Sequence, residues 1–195
     1  MTDVTMTDLP RWSVADVHES LDARSFTDSL EQARADTDRL VALFDVLDIR
    51  ATHTRPVTAD DGAAADRALR ELNRVTDAVN LLRAYVYATV ATDSRHQRAQ
   101  AVFSEVRQLD ASLRPLSARL ADWVAALGVD DLADVSGEVH DHCGPLRRLA
   151  ARAGHQMTEA EEHLAAELSL TGSSAWGRLH ADVTSQLSTE VELPD

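Results

Sequence analysis

A chain of 195 residues and 21.3 kDa has the length of one domain, or of two small ones. Its hydrophobic fraction of 44% and charged fraction of 27% are those of a soluble globular protein, and 7 Gly with 5 Pro are too few for an all-β chain rich in tight turns. Asp and Glu number 33 against 19 basic residues, and the resulting charge of −14 repels phosphate backbones and anionic lipid, which sets nucleic-acid and membrane partners aside.

Helical spacing of apolar residues runs through most of the chain. Ser13-x-x-Asp16 has the form of a capping box and predicts a short helix holding Val14 and Val17. Ser25-x-x-Asp28 predicts the start of the first long helix, with a stripe of Phe26, Leu30, Ala33, Leu40, Val41, Phe44 and Leu47 and an end near Asp48. Arg50 to Asp61 reads as a loop, because Pro56 drives the residue before it out of helical geometry. A second long helix is expected from about Gly62 to Ala91, where Ala65, Leu69, Leu72, Val75, Val79, Leu82, Val86 and Val90 step by three and four. Its apolar stripe is the largest, which makes it the expected central helix.

Ser94-x-x-Gln97 predicts the cap of a third helix carrying Val102, Val106, Leu109, Leu113, Leu116, Leu120 and Leu127. Pro115 lies within it and predicts a kink, while Gly128 is placed to end it. Asp130 to Gly137 reads as a turn or a short helix. Pro145 suits the first turn of a helix through Leu146, Leu149 and Ala153, closed by Gly154. Thr158-x-x-Glu161 predicts another helix with acids at its positive end, Thr171 to Ser174 interrupt it, and Ala175 to Leu187 form the last. Thr189 to Leu193 alternate polar and apolar and read as the beginning of a strand before Pro194. The fold class is therefore all-α, an antiparallel bundle of three long helices followed by shorter ones and an incipient strand.

Catalytic chemistry is sparse. All 19 basic residues are Arg, a compositional bias with little bearing on function. Cys143 is the sole cysteine and cannot form an internal disulfide, which fits a reducing cytoplasm. The start, Met1 to Trp12, has no basic and apolar leader pattern, and no apolar run approaches the roughly 20 residues that cross a bilayer.

Among eight histidines, His18-Glu19 is the one His-Glu pair, and Asp22 stands where a zinc-binding helix needs its second His. His140, Asp141, His142 and Cys143 are the densest set of potential ligands, but no second ligand pair follows at useful spacing, so they read as polar residues at a helix end. Glu159, Glu161, Glu162 and Glu167 read as a solvated acidic face. Trp12, Trp123 and Trp176 are too dispersed for a stacking platform. No catalytic, cofactor-binding or metal-binding residue emerges.

Against this background the second half carries a recognisable pattern. Ala153-Gly-His155-Gln-Met-Thr-Glu-Ala-Glu-Glu162-His-Leu-Ala-Ala-Glu-Leu168 resembles the His-x-Leu-(Ser/Thr)-x-x-Glu-Glu-x-Leu-Leu-Ala stretch of oligoendopeptidase F, with Met157 in place of the usual Leu. Ser169 to Leu187, with Gly172, Trp176 and Leu179, resembles that family's next helix, and Leu9-Pro-Arg-Trp12 followed by Phe26 is similar to its usual start.

The resemblance implies a cytoplasmic zinc metallopeptidase cutting short peptides in a closed helical chamber, of which this chain is the N-terminal helical part and one wall of the channel. Zinc, in that family, is held by a His-Glu-x-x-His helix and a downstream Glu in a separate domain, and neither maps onto a position here. The implied organisation is an arm over 1–24, a long-helix bundle over 25–154, C-terminal helices over 155–188 and a strand start over 189–195. Inactivity alone, no cofactor in this chain, and an apolar face for the catalytic domain or for self-association follow as expectations. The alternative is a stand-alone acidic helical module that binds a basic protein partner.

Overall fold

The computed structural model describes residues 13–93, 95–153, 164–165, 168–169 and 171–188. Within them the chain is helical, in the order α1 (Arg24–Val46), α2 (Ala59–Thr92), α3 (Gln97–Leu127), α4 (Val129–Ala133), α5 (Gly137–Asp141), α6 (Cys143–Ala153) and α7 (Ser173–Gln186). The all-α expectation holds among the described residues. The expected strand at 189–195, the capping box at Thr158 and the closing Gly154 lie outside them. The chain divides into two units, 1–153 and 154–195.

In the first unit α1, α2 and α3 pack against one another in every pairing, and α2 also meets α4 and α5. The short connection 93–96 sends α3 back along α2. The predicted stripe of α2 is the core: Val75, Val79 and Val86 are fully buried, with Leu69 and Leu82 beside them. Each such side chain is stabilised by roughly 1.5–3 kcal/mol relative to an exposed one. Facing them are Phe26, Leu40 and Phe44 of α1 and Val106, Leu116, Leu120 and Val124 of α3. Val41, expected in the α1 stripe, is exposed instead, and Leu43 takes the partly buried place.

Several boundaries move for identifiable reasons. The segment before α1 forms turns and no helix: Val17 N–H donates to the Val14 carbonyl at 3.0 Å, and both valines are exposed. Helix α1 begins with Ala23 as N-cap and without a side-chain cap, while Ser25 sits inside the helix with its hydroxyl 3.3 Å from His18 Nδ1. Its end is a Schellman arrangement, in which Ile49 N–H donates to the Phe44 carbonyl at 2.9 Å and Asp48 N–H to the Asp45 carbonyl at 3.2 Å. Asp48 occupies the left-handed position at φ 56°, a conformation that Asp tolerates better than most residues. The same turn carries Ile49 into the core.

Helix α2 starts three residues earlier than its stripe suggests, because Thr58 and Asp61 form a reciprocal capping box. At α3 the cap is His96, whose Nδ1 accepts from Ala99 N–H at 3.1 Å; Ser94 lies outside the described residues. That helix runs unbroken through Pro115. The proline removes the donor to the Ala111 carbonyl, and both residues lie on the exposed side, where water can satisfy it. Gly128 ends α3 as expected, at φ 88°. Pro145 falls in the first turn of α6, which begins at Cys143.

In the second unit, α7 buries none of its residues, and Trp176, Leu179, Val183 and Leu187 are all more than half exposed. The spacing of the first three, by three and four, places them along one side of the helix, and Leu187 follows as its C-cap. Among the described residues no helix is long and apolar enough to cross a membrane.

Gly62 allows α2 to approach the turn after α4: a β-carbon built there overlaps the Val135 carbonyl. Backbone cannot yield as a flexible side chain would. Gly62→Ala is therefore expected to destabilise the protein by about 1–3 kcal/mol. Gly137→Ala, where nothing lies within 4 Å, should be neutral or slightly stabilising. Urea unfolding of both variants checks this; equal effects would mean that the Gly62 approach is not a packing constraint.

Candidate functional site

The ligand candidates disperse once the chain is folded. His140 and Asp141 end α5 and are exposed, while Cys143 starts α6 after the break at His142. His142 Nδ1 lies 2.8 Å from the Glu138 carbonyl, so its ring serves the end of α5. Among the described residues no group of three or more His, Cys, Asp or Glu side chains is arranged to hold a metal ion. The described part of this chain therefore does not fit a zinc centre. Glu159, Glu161, Glu162, Glu167 and Trp12 lie outside the described residues. Trp123 is a core residue and Trp176 is exposed, which separates two residues of one type into different roles.

His18 is buried, but in a structural setting. Its ring packs edge-on against Phe26 and Tyr85 at centroid distances of 5.4 and 5.0 Å. The Tyr85 hydroxyl donates to the His18 backbone carbonyl at 3.0 Å, and burial pushes that phenol's pKa up. Arg98 of α3 pairs with Asp22 at 2.8 Å, so the segment before α1 is tied to α2 and α3. Glu19 and Asp22 line this region, and Asp22 is occupied by its pair with Arg98.

Charge instead concentrates between α1 and α2. Asp36 is 3% exposed, inside the stripe of α1. Its Oδ2 accepts from Arg74 Nη1 at 2.8 Å, and its Oδ1 accepts from Gln32 Nε2 at 3.1 Å and from Arg39. The Arg74 hydrogen bond, against the opposing effect of burial, holds the Asp36 carboxyl well below the usual carboxylate range. Arg74 also donates from Nε to Glu71 at 2.9 Å.

These residues line a groove of about 600 Å³ bounded by Gln32, Asp36, Arg39, Leu40 and Leu43 on α1 and Arg67, Arg70, Glu71 and Arg74 on α2. Four arginines thus face two carboxylates, in a chain whose net charge is −14. Helical spacing explains the assembly: 67, 70, 71 and 74 recur at three and four on α2, as 32, 36, 39, 40 and 43 do on α1. Sequence reading singled out none of the charged ones. The one signal was the gap at Asp36 and Thr37 in an otherwise apolar stripe, and both are buried.

Two more carboxylates are tied in the same way. Asp61 accepts from Arg55 through both oxygens at 2.7 Å and from Thr58, interactions that hold it well below its usual range. Asp66 accepts from the Ser136 hydroxyl at 2.5 Å and from Glu138 N–H at 3.1 Å; burial opposes its ionisation, yet these bonds keep its pKa lowered.

An Asp36→Asn variant should lose about 1–3 kcal/mol at pH 7. A carboxyl held below its ordinary range contributes stability that is fully present above about pH 5 and is lost as pH falls through its folded value. The difference between wild type and variant is therefore expected to narrow only below about pH 4. Urea unfolding across that range checks it, and a gap that ignores pH would remove the Asp36 charge as its source.

In the comparison with protein families, residues 136–188 fit the model described as Oligopeptidase F. That interval begins at the cap of α5, takes in α6 and reaches past the end of α7. No curated protein and no solved structure matches the chain. The similarity noted around Leu9 to Phe26 lies outside the matched interval. Over residues 136–188 the resemblance to the N-terminal part of oligoendopeptidase F is thus established.

Proposed function

We propose that this chain is the helical, channel-forming part of an oligoendopeptidase F-like zinc endopeptidase that acts on short peptides in the cytoplasm. The observation that carries this reading is the family match over residues 136–188, an interval that includes the exposed apolar side of α7. Trp176, Leu179, Val183 and Leu187 form the face that docks the catalytic part, or a second copy where that part is absent. The 195 residues contain no His-Glu-x-x-His helix. A peptidase of this type needs that helix to hold its Lewis acid and to place a general base, so hydrolysis depends on a part that these residues do not supply.

Two measurements test the reading. Purified chain is expected to leave internally quenched short peptides intact, with and without added zinc. Adding a separately expressed polypeptide that carries the family's His-Glu-x-x-His region is expected to yield chelator-sensitive hydrolysis above that of the added polypeptide alone. Chelator-sensitive cleavage by this chain alone would overturn the inactivity. Trp176→Ser with Leu179→Ser should abolish the stimulation; stimulation unchanged in the double variant would remove α7 as the docking face. Selective recovery of an unrelated basic protein, with no stimulation of hydrolysis, would favour an interaction module instead.

A further inference from the structure

We propose that the arginine-lined groove between α1 and α2 binds the carboxylate of a short peptide. This rests on the reading that the chain handles short peptides, and it adds a site and a chemistry that the reading does not assign. Three observations converge on it.

The groove is open and about 600 Å³ in volume, enough for a few residues of extended chain. Its arginines are partly fixed before any ligand arrives, because buried Asp36 accepts from Arg74 and Arg39, and Arg70 donates from Nε to Glu138 at 2.8 Å. A guanidinium carries five N–H donors, so Arg39, Arg70 and Arg74 each keep donors beyond those bonds. Arg67 has no carboxylate partner among the described residues and supplies the unneutralised charge.

The composition of the lining selects the ligand. Arg39, Arg70 and Arg74 are already paired with Asp36, Glu71, Glu138 and Asp66, which leaves the single charge of Arg67 and suits a monoanion better than a doubly charged phosphate. Leu43, which is partly buried, adds apolar surface beside the arginines, and this favours an anion that carries organic bulk. A peptide carboxylate meets both conditions: planar pairing with Arg67, and a side chain against Leu43. Elsewhere the net charge of −14 repels such a ligand, so the groove is where the long-range field yields to local donors.

The test uses the intact 195-residue chain and tetra-alanine, with tetra-alanine amide as control, followed by titration calorimetry and by perturbation of arginine side-chain NMR signals. Tetra-alanine is expected to bind at least about tenfold tighter than the amide, and Arg67→Gln should erase that preference. Arg147→Gln, at the exposed pair with Asp130, should leave it unchanged. Thermal unfolding confirms that each variant is folded.

Equal binding of acid and amide, an undiminished preference in Arg67→Gln, or no binding at millimolar peptide would overturn the proposal. Displacement of the peptide by inorganic phosphate at equal concentration would also overturn it, by reducing the groove to a bare anion site. The peptidase reading is decided separately by stimulation of the catalytic region, so binding can fail while stimulation succeeds, and the reverse.

Discussion

The close approach of α2 to its neighbours is the constraint from which the rest of the first unit follows. Helices α1, α3, α4 and α5 all pack against it, so α2 is asked to bury more than a single stripe. Its two halves meet this demand differently. From Gly62 through Ala65 and Ala68 the residues are small, and there the turn between α4 and α5 comes near enough for Ser136 and Glu138 to bond Asp66. From Val75 to Val86 the residues are branched and wide, and they fill the space between α1 and α3. A uniform valine ladder would hold α4 and α5 off the surface, and a uniform alanine ladder would leave the far end underpacked.

Electrostatics then tie the pieces that apolar packing leaves loose. A chain with a charge of −14 stands to lose stability through self-repulsion, yet its most buried acids are also its most constrained. Asp36 joins α1 to α2, Asp61 fixes the connection from Arg55 into α2, and Asp66 fastens α5 to α2. Arg119 does the corresponding work at the far end of α1. It donates from Nε to the Ile49 carbonyl at 2.8 Å, pairs with Asp45 at 2.8 Å and lies 5.7 Å from the centre of the Phe44 ring. A cation there also suits the negative end of the α1 dipole.

Much of this architecture was legible in sequence because periodicity records burial directly. The α2 stripe, the third helix across Pro115 and the Gly128 stop all stand where spacing and glycine chemistry put them. The helix starts were harder. Thr58 and Asp61 form a capping box, but Pro56 just upstream suggested a longer loop, and Ser25 fits the box pattern without acting as a cap. A cap motif names residue types, whereas a cap requires the preceding chain to arrive extended, which spacing alone does not encode. The groove escaped for a related reason: charges at three and four spacing look solvated on each helix, and only the pairing of α1 with α2 shows that they face one another. The Oligopeptidase F resemblance needed no such pairing, since it rests on consecutive residues within 136–188.

The matched interval changes character along its length, and that change bears on how the chain works. At its start, Val139 and Leu146 are buried members of the bundle core. At its end, α7 presents Trp176, Leu179 and Val183 with no buried residue to anchor it. A helix of 14 residues is marginal in water by itself, because nucleation is costly and most helical stability in proteins comes from packing an apolar side. Wide exposure of tryptophan and leucine adds to that cost in proportion to the apolar area left wet. The two ends therefore differ: α5 and α6 pack against α2, α3 and α4, whereas α7 leaves Trp176, Leu179 and Val183 exposed. On the proposed function, a catalytic part docking there would cover that side and supply the packing that a helix of this length needs.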